Sequence, residues 1–168
     1  MRDPRPIQSA RAARGGFTLV EVMFSALVLT LSVVAMTQAV LAGHQANMQA
    51  VRDLHAMAIA EAMLEEVVSK ATIDPETGTA GGAEERSRPL YDDLDDYDGY
   101  TEALGAVADA AGSTYGTPYD VFTRTVTVES ESVSGLGGDQ SGYTVTVVVA
   151  DDKGQTWSVS RFVSEATP

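Results

Sequence analysis

From Leu19 to Gly43 the chain is apolar almost without interruption, and Glu21 is the one charged residue between Arg14 and Arg52. At about 1.5 Å of rise per residue, a helix over this stretch is long enough to cross a hydrocarbon core of roughly 30 Å. The pattern then becomes that of a half-buried helix. Ile59, Met63 and Val67 fall four apart with Ala60, Leu64 and Val68 beside them, while Glu61, Glu65 and Glu66 face elsewhere, so the helix is predicted to continue to about Lys70. Residues 72 to 120 carry little periodicity and many Gly and Pro positions, which reads as loop, with a short helix at Glu102 to Ala111 where Leu104, Val107 and Ala108 share a face.

From Val121 the period changes to two. Val121 to Glu129, Tyr143 to Ala150 and Thr156 to Val163 are β-branched and aromatic segments with one apolar side each: Phe122, Val126 and Val128; Tyr143, Val145, Val147 and Val149; Trp157, Val159 and Val163. Asp151-Asp152-Lys153-Gly154 predicts a tight hairpin, and Ser130 to Gly142, rich in glycine, a looser one. The expected fold class is α+β, a long N-terminal helix packed on a C-terminal antiparallel sheet of at least three strands. The expected division is a leader at 1–16, a membrane-spanning half-helix at 17–43, its soluble half at 44–70, an irregular acidic connection at 71–120 and the sheet at 121–168. One modest domain and an anchor account for the length.

Ahead of the apolar run lies a short basic leader, Arg2, Arg5, Arg11 and Arg14 against Asp3, ending in Gly15-Gly16. A secretory signal places its small-residue cleavage site after the apolar region; here the glycine pair precedes it, so a cut would keep the helix. The sequence GG-FTLVEVM, continuing into SALVLTLSVVAM, resembles the N-terminus of type IV pilins and of the pseudopilins of type II secretion systems, over roughly residues 11 to 70. The resemblance implies a prepilin peptidase that cuts between Gly16 and Phe17 and N-methylates Phe17. It makes Glu21 the glutamate used in assembly, and implies as partners other pilin or pseudopilin subunits and the inner-membrane assembly platform. The residues agree: a carboxylate in an apolar helix is costly and usually finds a partner, such as a neighbouring subunit's free α-amine. The other reading leaves Glu21 at the headgroup level with none. Major pilins often carry a C-terminal disulfide and a helix-breaking proline; this chain has no cysteine and no proline between Pro6 and Pro75, which points to a minor pilin or minor pseudopilin.

Charge then sets topology. The chain carries 11 Lys and Arg against 24 Asp and Glu, and loss of the leader's four arginines and one aspartate leaves 7 against 23, a net of −16. The positive-inside bias puts the N-terminus in the cytoplasm and the C-terminal domain outside the bacterial inner membrane, before recruitment into a filament. Nucleic-acid binding is not expected of so acidic a chain. Within the span Ala35, Ala39 and Gly43 recur every four residues with Ser32 beside them, either a helix-packing face or the ordinary composition of such helices.

Outside the anchor, the pointed stretch is Tyr91 to Tyr100, with five aspartates among aromatics. Asp95, Asp96 and Asp98 are the candidate calcium ligands, since hard oxygen donors suit that cation and the resemblance adds that major pseudopilins bind calcium in a loop of the soluble domain, whose ligands do not match residue by residue here. EF-hand spacing fails: with Asp98-Gly99 at its fifth and sixth positions, Leu94 falls first and Gly105 twelfth. A solvated acidic loop whose tyrosines pack on the sheet is the preferred alternative, and contact with a partner protein a third. His44 and His55 lie eleven apart, too distant to share one ion. There is no cysteine nucleophile, GxSxG elbow, HExxH pair or dinucleotide loop, so no catalytic residue and no cofactor is expected. The rival to a filament subunit is a membrane-anchored binding module that uses the acidic loop for calcium or a partner.

Overall fold

The computed structural model describes residues 16–75, 87–135 and 138–165. Helix α1 runs from Leu19 to Val68. It is followed by a four-stranded antiparallel sheet of β1 (Thr101–Glu102), β2 (Phe122–Gly135), β3 (Gly138–Asp151) and β4 (Thr156–Ser164), in spatial order β1-β2-β3-β4. This is the expected α+β plan of one long helix packed on a C-terminal sheet, with a fourth strand. The chain divides into two compact units between Asn47 and Met48, so α1 contributes to both.

In the second unit the helical stripe meets the inner faces of the strands. Ala56, Ile59, Ala60, Met63, Leu64 and Val67 of α1 are buried against Phe122 and Val126 of β2 and Val145, Val147 and Val149 of β3, with Trp157, Val159 and Val163 of β4 half-buried at the margin. The alanines let the helix approach the sheet, and the valines satisfy the strands' preference for β-branched side chains. The helix ends two residues before the expected Lys70. The backbone N–H of Lys70 turns to the Val67 carbonyl at 3.0 Å, and its ammonium donates to the Tyr91 carbonyl at 2.5 Å.

The Asp151–Gly154 hairpin forms as expected. The Asp151 Oδ1 accepts from the backbone N–H groups of Lys153 and Gln155, both at 2.9 Å, and Gly154 takes φ +82°, where a side chain would be strained. The Asp151 Oδ2 also receives Arg52 of α1 at 2.7 Å, which ties this turn to the helix.

Three expectations are corrected. Ser130 to Gly142 is not a loose loop, because β2 and β3 stay paired to Gly135↔Gly138. Serine is tolerated over Ser130–Ser134 because the ribbon there is solvent-exposed on both faces and no core selects apolar residues, whereas Gly142 is buried and a Cβ there would meet the Val163 carbonyl and the Phe162 ring of β4. Nor is Glu102 to Ala111 helical: Glu102 lies in β1, Gly105 takes φ +74° and the segment runs through turns, because the Glu102 carboxylate is drawn inward by two arginines. Glu66, expected to face outward with Glu61 and Glu65, is half-buried.

Those arginines form the polar centre of the domain. Arg88 grips both oxygens of Glu66, Nε to Oε1 at 2.8 Å and Nη2 to Oε2 at 2.5 Å, and reaches Glu102 with Nη1 at 2.8 Å. Arg124, 1% exposed, sends Nε to Glu102 at 2.7 Å, Nη1 to the Ile59 carbonyl at 2.8 Å and Nη2 to the Ala108 carbonyl at 2.8 Å. Two guanidinium and two carboxylate groups thus connect α1, the Arg88–Leu90 turn, β1, β2 and the segment before Ala108. Burial alone would raise the Glu66 pKa, but the hydrogen bonds and charge of Arg88 and the Tyr97 hydroxyl outweigh it and hold the carboxyl below its ordinary value. Arg124→Met should therefore destabilise the fold by about 3–5 kcal/mol, because Glu102 would keep its burial with half its counter-charge. Denaturant unfolding of the detergent-solubilised chain checks this, and adding Glu102→Gln should recover part of the loss.

Candidate functional site

The first unit contains the motif Gly16-Phe17-Thr18 and the apolar half of α1. Thr18 caps the helix: its Oγ1 accepts the backbone N–H of Glu21 at 3.3 Å and its carbonyl accepts that of Val22 at 3.2 Å. Gly16 and Phe17 therefore sit just outside the helix, with open space around Gly16 and Phe17 80% exposed. Glu21 lies in the first helical turn, where its negative charge suits the helix dipole, and its side chain is exposed. Leader residues 1–15, Gly15 among them, lie outside the described residues.

Every residue from Gly16 to Asn47 is exposed. Leucines, valines, methionines and phenylalanines standing open all round a helix each forgo about 1.5–3 kcal/mol of burial in water, so the surface calls for an apolar environment. α1 is long and apolar enough to cross a membrane, and none of its most apolar stretch is buried. Three of its polar side chains are answered from within: the Thr30, Ser32 and Thr37 hydroxyls donate to the carbonyls of Ala26, Val28 and Val33 at 2.7, 2.8 and 2.9 Å. Ala35, Ala39 and Gly43 are exposed, and a Cβ at Gly43 would meet nothing.

The second unit contains the acidic stretch, which is a folded turn and not a solvated loop. Tyr97 is fully buried, with its hydroxyl on Glu66 at 2.9 Å, and Tyr91, Tyr97 and Tyr100 meet edge to face. Of the sequence-derived calcium ligands, Asp96 is buried and accepts the backbone N–H of Asp92 at 3.1 Å, and Asp98 accepts that of Val128 in β2 at 3.0 Å. Those carboxylates are engaged in fixing the turn and anchoring it to the sheet. The Asp95 Oδ2 is buried without a hydrogen-bond partner among the described residues. The group brought close enough to share a cation is a different one, Asp74, Asp92 and Asp93, with one oxygen from each within 4.8 Å of the others. Asp74 and the backbone bridge Ala71↔Asp93 were not legible in the spacing, because the two segments meet only after the helix ends. His44 is exposed, and His55 packs on the Tyr119 ring at 5.0 Å between centroids.

Burial, followed by the charges of Asp95 and Asp96, pushes the Asp93 carboxyl up to about 6 despite a backbone hydrogen bond from Asp96. Burial and the charges of Glu165, Asp95 and Asp93 likewise raise the Tyr143 phenol on β3. No family model, curated protein or solved structure matches the chain.

Two outcomes follow for the acidic turn. The folded chain binds the Asp93 proton more tightly than the unfolded chain, so this stabilisation is full below about pH 4 and is lost as pH rises through about 6. Glu66 and Asp151, both held low, act in the opposite sense and lose their contribution as pH falls. Asp93→Asn should raise stability by roughly 1–3 kcal/mol at pH 7.5 and by nothing near pH 4, measured by thermal melts of the detergent-solubilised chain. Added calcium should shift the melting temperature little. A rise of several degrees that Asp93→Asn abolishes would assign a cation to Asp74, Asp92 and Asp93.

Proposed function

We propose that the chain is a pilin-like structural subunit, cut by a prepilin peptidase between Gly16 and Phe17, methylated at Phe17, and drawn through its N-terminal helix into a type IV pilus or a type II secretion pseudopilus. The observation that carries this reading is the pairing of the motif Gly16-Phe17-Thr18-Leu19-Val20-Glu21 with a helix whose entire first half is exposed and apolar. A cleavage enzyme needs its bond outside regular structure, and Gly16-Phe17 precedes the first helical turn. An assembly carboxylate needs to be free of its own chain, and the Glu21 side chain makes no bond to another side chain among the described residues. The absence of cysteine and of a helix proline favours a minor subunit. Before assembly the chain sits in the bacterial inner membrane by a single span, with its domain on the far side from the cytoplasm.

In the filament the Glu21 carboxylate meets the Phe17 amine of a neighbouring copy or relative. At 4 Å and an effective dielectric near 20 that attraction is about 4 kcal/mol before desolvation is charged against it, so the pair fixes axial register more than it adds stability. A second reading, an anchored module binding through its acidic turn, rests on the convergence of Asp74, Asp92 and Asp93.

Glu21→Ala should leave membrane insertion and cleavage intact and reduce recovery in sheared filaments, scored by immunoblot of both fractions. Filament recovery at the unmutated level would remove the assembly role from this residue. Gly16→Glu should leave the leader attached, seen as slower migration of the membrane protein, because the peptidase must fit a small residue at that position.

A further inference from the structure

Among the described residues the sheet has two open edges, and they lie on strands that run in the same direction. In β4 the inward bonds belong to the odd-numbered residues, since Asp151 N–H donates to the Gln155 carbonyl and Glu165 N–H to the Ser141 carbonyl across the β3 ladder. The N–H and C=O groups of Thr156, Ser158, Ser160, Phe162 and Ser164 therefore point away from the sheet, and β4 is its last strand. At the other edge β1 covers only Arg124 and Thr125 of β2. Tyr100 and Gly99 take the two groups of Val126, and Asp98 takes the Val128 N–H. Beyond that point the outward backbone of Ser130, Ser132 and Ser134 has no partner among the described residues, and the edge there is exposed.

The β4 edge carries few of the usual defences, and in the Ser130–Ser134 edge the one charge, Glu131, accepts the Thr144 hydroxyl of β3 at 2.6 Å. β4 pairs with β3 without a bulge over Gly142↔Ser164 to Ala150↔Thr156, contains no proline, and has one charge, Arg161, whose guanidinium is turned to Glu65 of α1 at 2.7 Å. A row of alternating donors and acceptors at such an edge recognises an extended backbone.

We infer that the occupant is a second copy of this chain, with β4 of one copy adding to the Ser130–Ser134 edge of β2 in the next. Each copy supplies one edge of each kind, so this contact can satisfy the whole β2 row and the matching part of the longer β4 row, whereas β4 paired with itself would leave the β2 edge open. β2 and β4 are each antiparallel to β3, so the new ladder is parallel and every copy keeps the same orientation. Antiparallel pairing of β4 with itself would reverse one copy. Such a head-to-tail contact is heterologous, the kind from which an open helical series is built, and it deepens the filament reading, on which the requirement for one common orientation rests.

The chain has no cysteine, so an introduced pair reports alone. The full-length Ser132→Cys/Ser160→Cys chain, treated in its own membranes with a short bismaleimide, should give a ladder of dimers, trimers and higher species, and each single variant none. No ladder, or dimers from Ser160→Cys alone, overturns the inference. Adding Ser158→Pro removes an outward N–H while sparing the β3 ladder, so the crosslinked ladder should be lost with the melting temperature kept; a ladder that persists in that folded variant also overturns it. Filaments recovered without the ladder would sink this contact and leave the filament reading standing, and a ladder from protein that keeps its leader would do the reverse.

Discussion

The buried chain Glu66–Arg88–Glu102–Arg124 is the constraint on which the soluble unit depends. The apolar stripe of α1 and the valines of β2 and β3 supply burial, but burial is non-directional and leaves the helix free to slide or rotate on the sheet. Arg124 removes that freedom by bonding the Ile59 carbonyl of α1 from within β2, and Arg88 removes it again by gripping both oxygens of Glu66. The same two arginines satisfy the Ala108 carbonyl and Glu102, so the irregular segment between helix and sheet folds around charges and not around an apolar surface of its own. A buried ionic group adds little net stability against an apolar substitute, but it specifies geometry because any misplacement leaves a charge unpaired.

That arrangement divides the labour along α1. From Met48 onward the helix is committed to the domain by Arg52 on Asp151, by Asp53, which accepts the Trp157 indole N–H at 3.1 Å, and by its buried stripe. Up to Asn47 every residue of it is exposed among the described residues, and that surface is largely apolar. The two demands coexist in one helix because the sequence changes pattern along its length: apolar all round first, amphipathic afterwards.

Much of this was legible in the residues. The change of period at Val121, the stripe of Ile59, Met63 and Val67, and the Asp151–Gly154 turn each follow from local chemistry that the fold does not override. What was missed has one physical character, the inward-turned charge. Arg124 sits between Phe122 and Val126 and so shares their face by parity, yet a charged residue there reads as an interruption until its partners Glu102 and Ala108, from distant segments, are known. Glu66 reads as outward for the same reason. The acidic turn was legible as a cluster but not as a structure, because Asp96 and Asp98 are occupied by backbone N–H groups that only the folded chain presents. The serine-rich ends of β2 and β3 were read as loop because strand propensity tracks burial, and an exposed ribbon does not need it.

On the proposed reading the N-terminal helix is kept, and is freed of its leader, so that it can serve in assembly. The intact mass of the protein extracted from the membranes of a host with an active prepilin peptidase tests this most directly. The expected mass is that of a chain that begins at Phe17 and carries one added methyl group. A mass that retains the leader, or one that corresponds to a cut after Ala39 or Ala42, would contradict it.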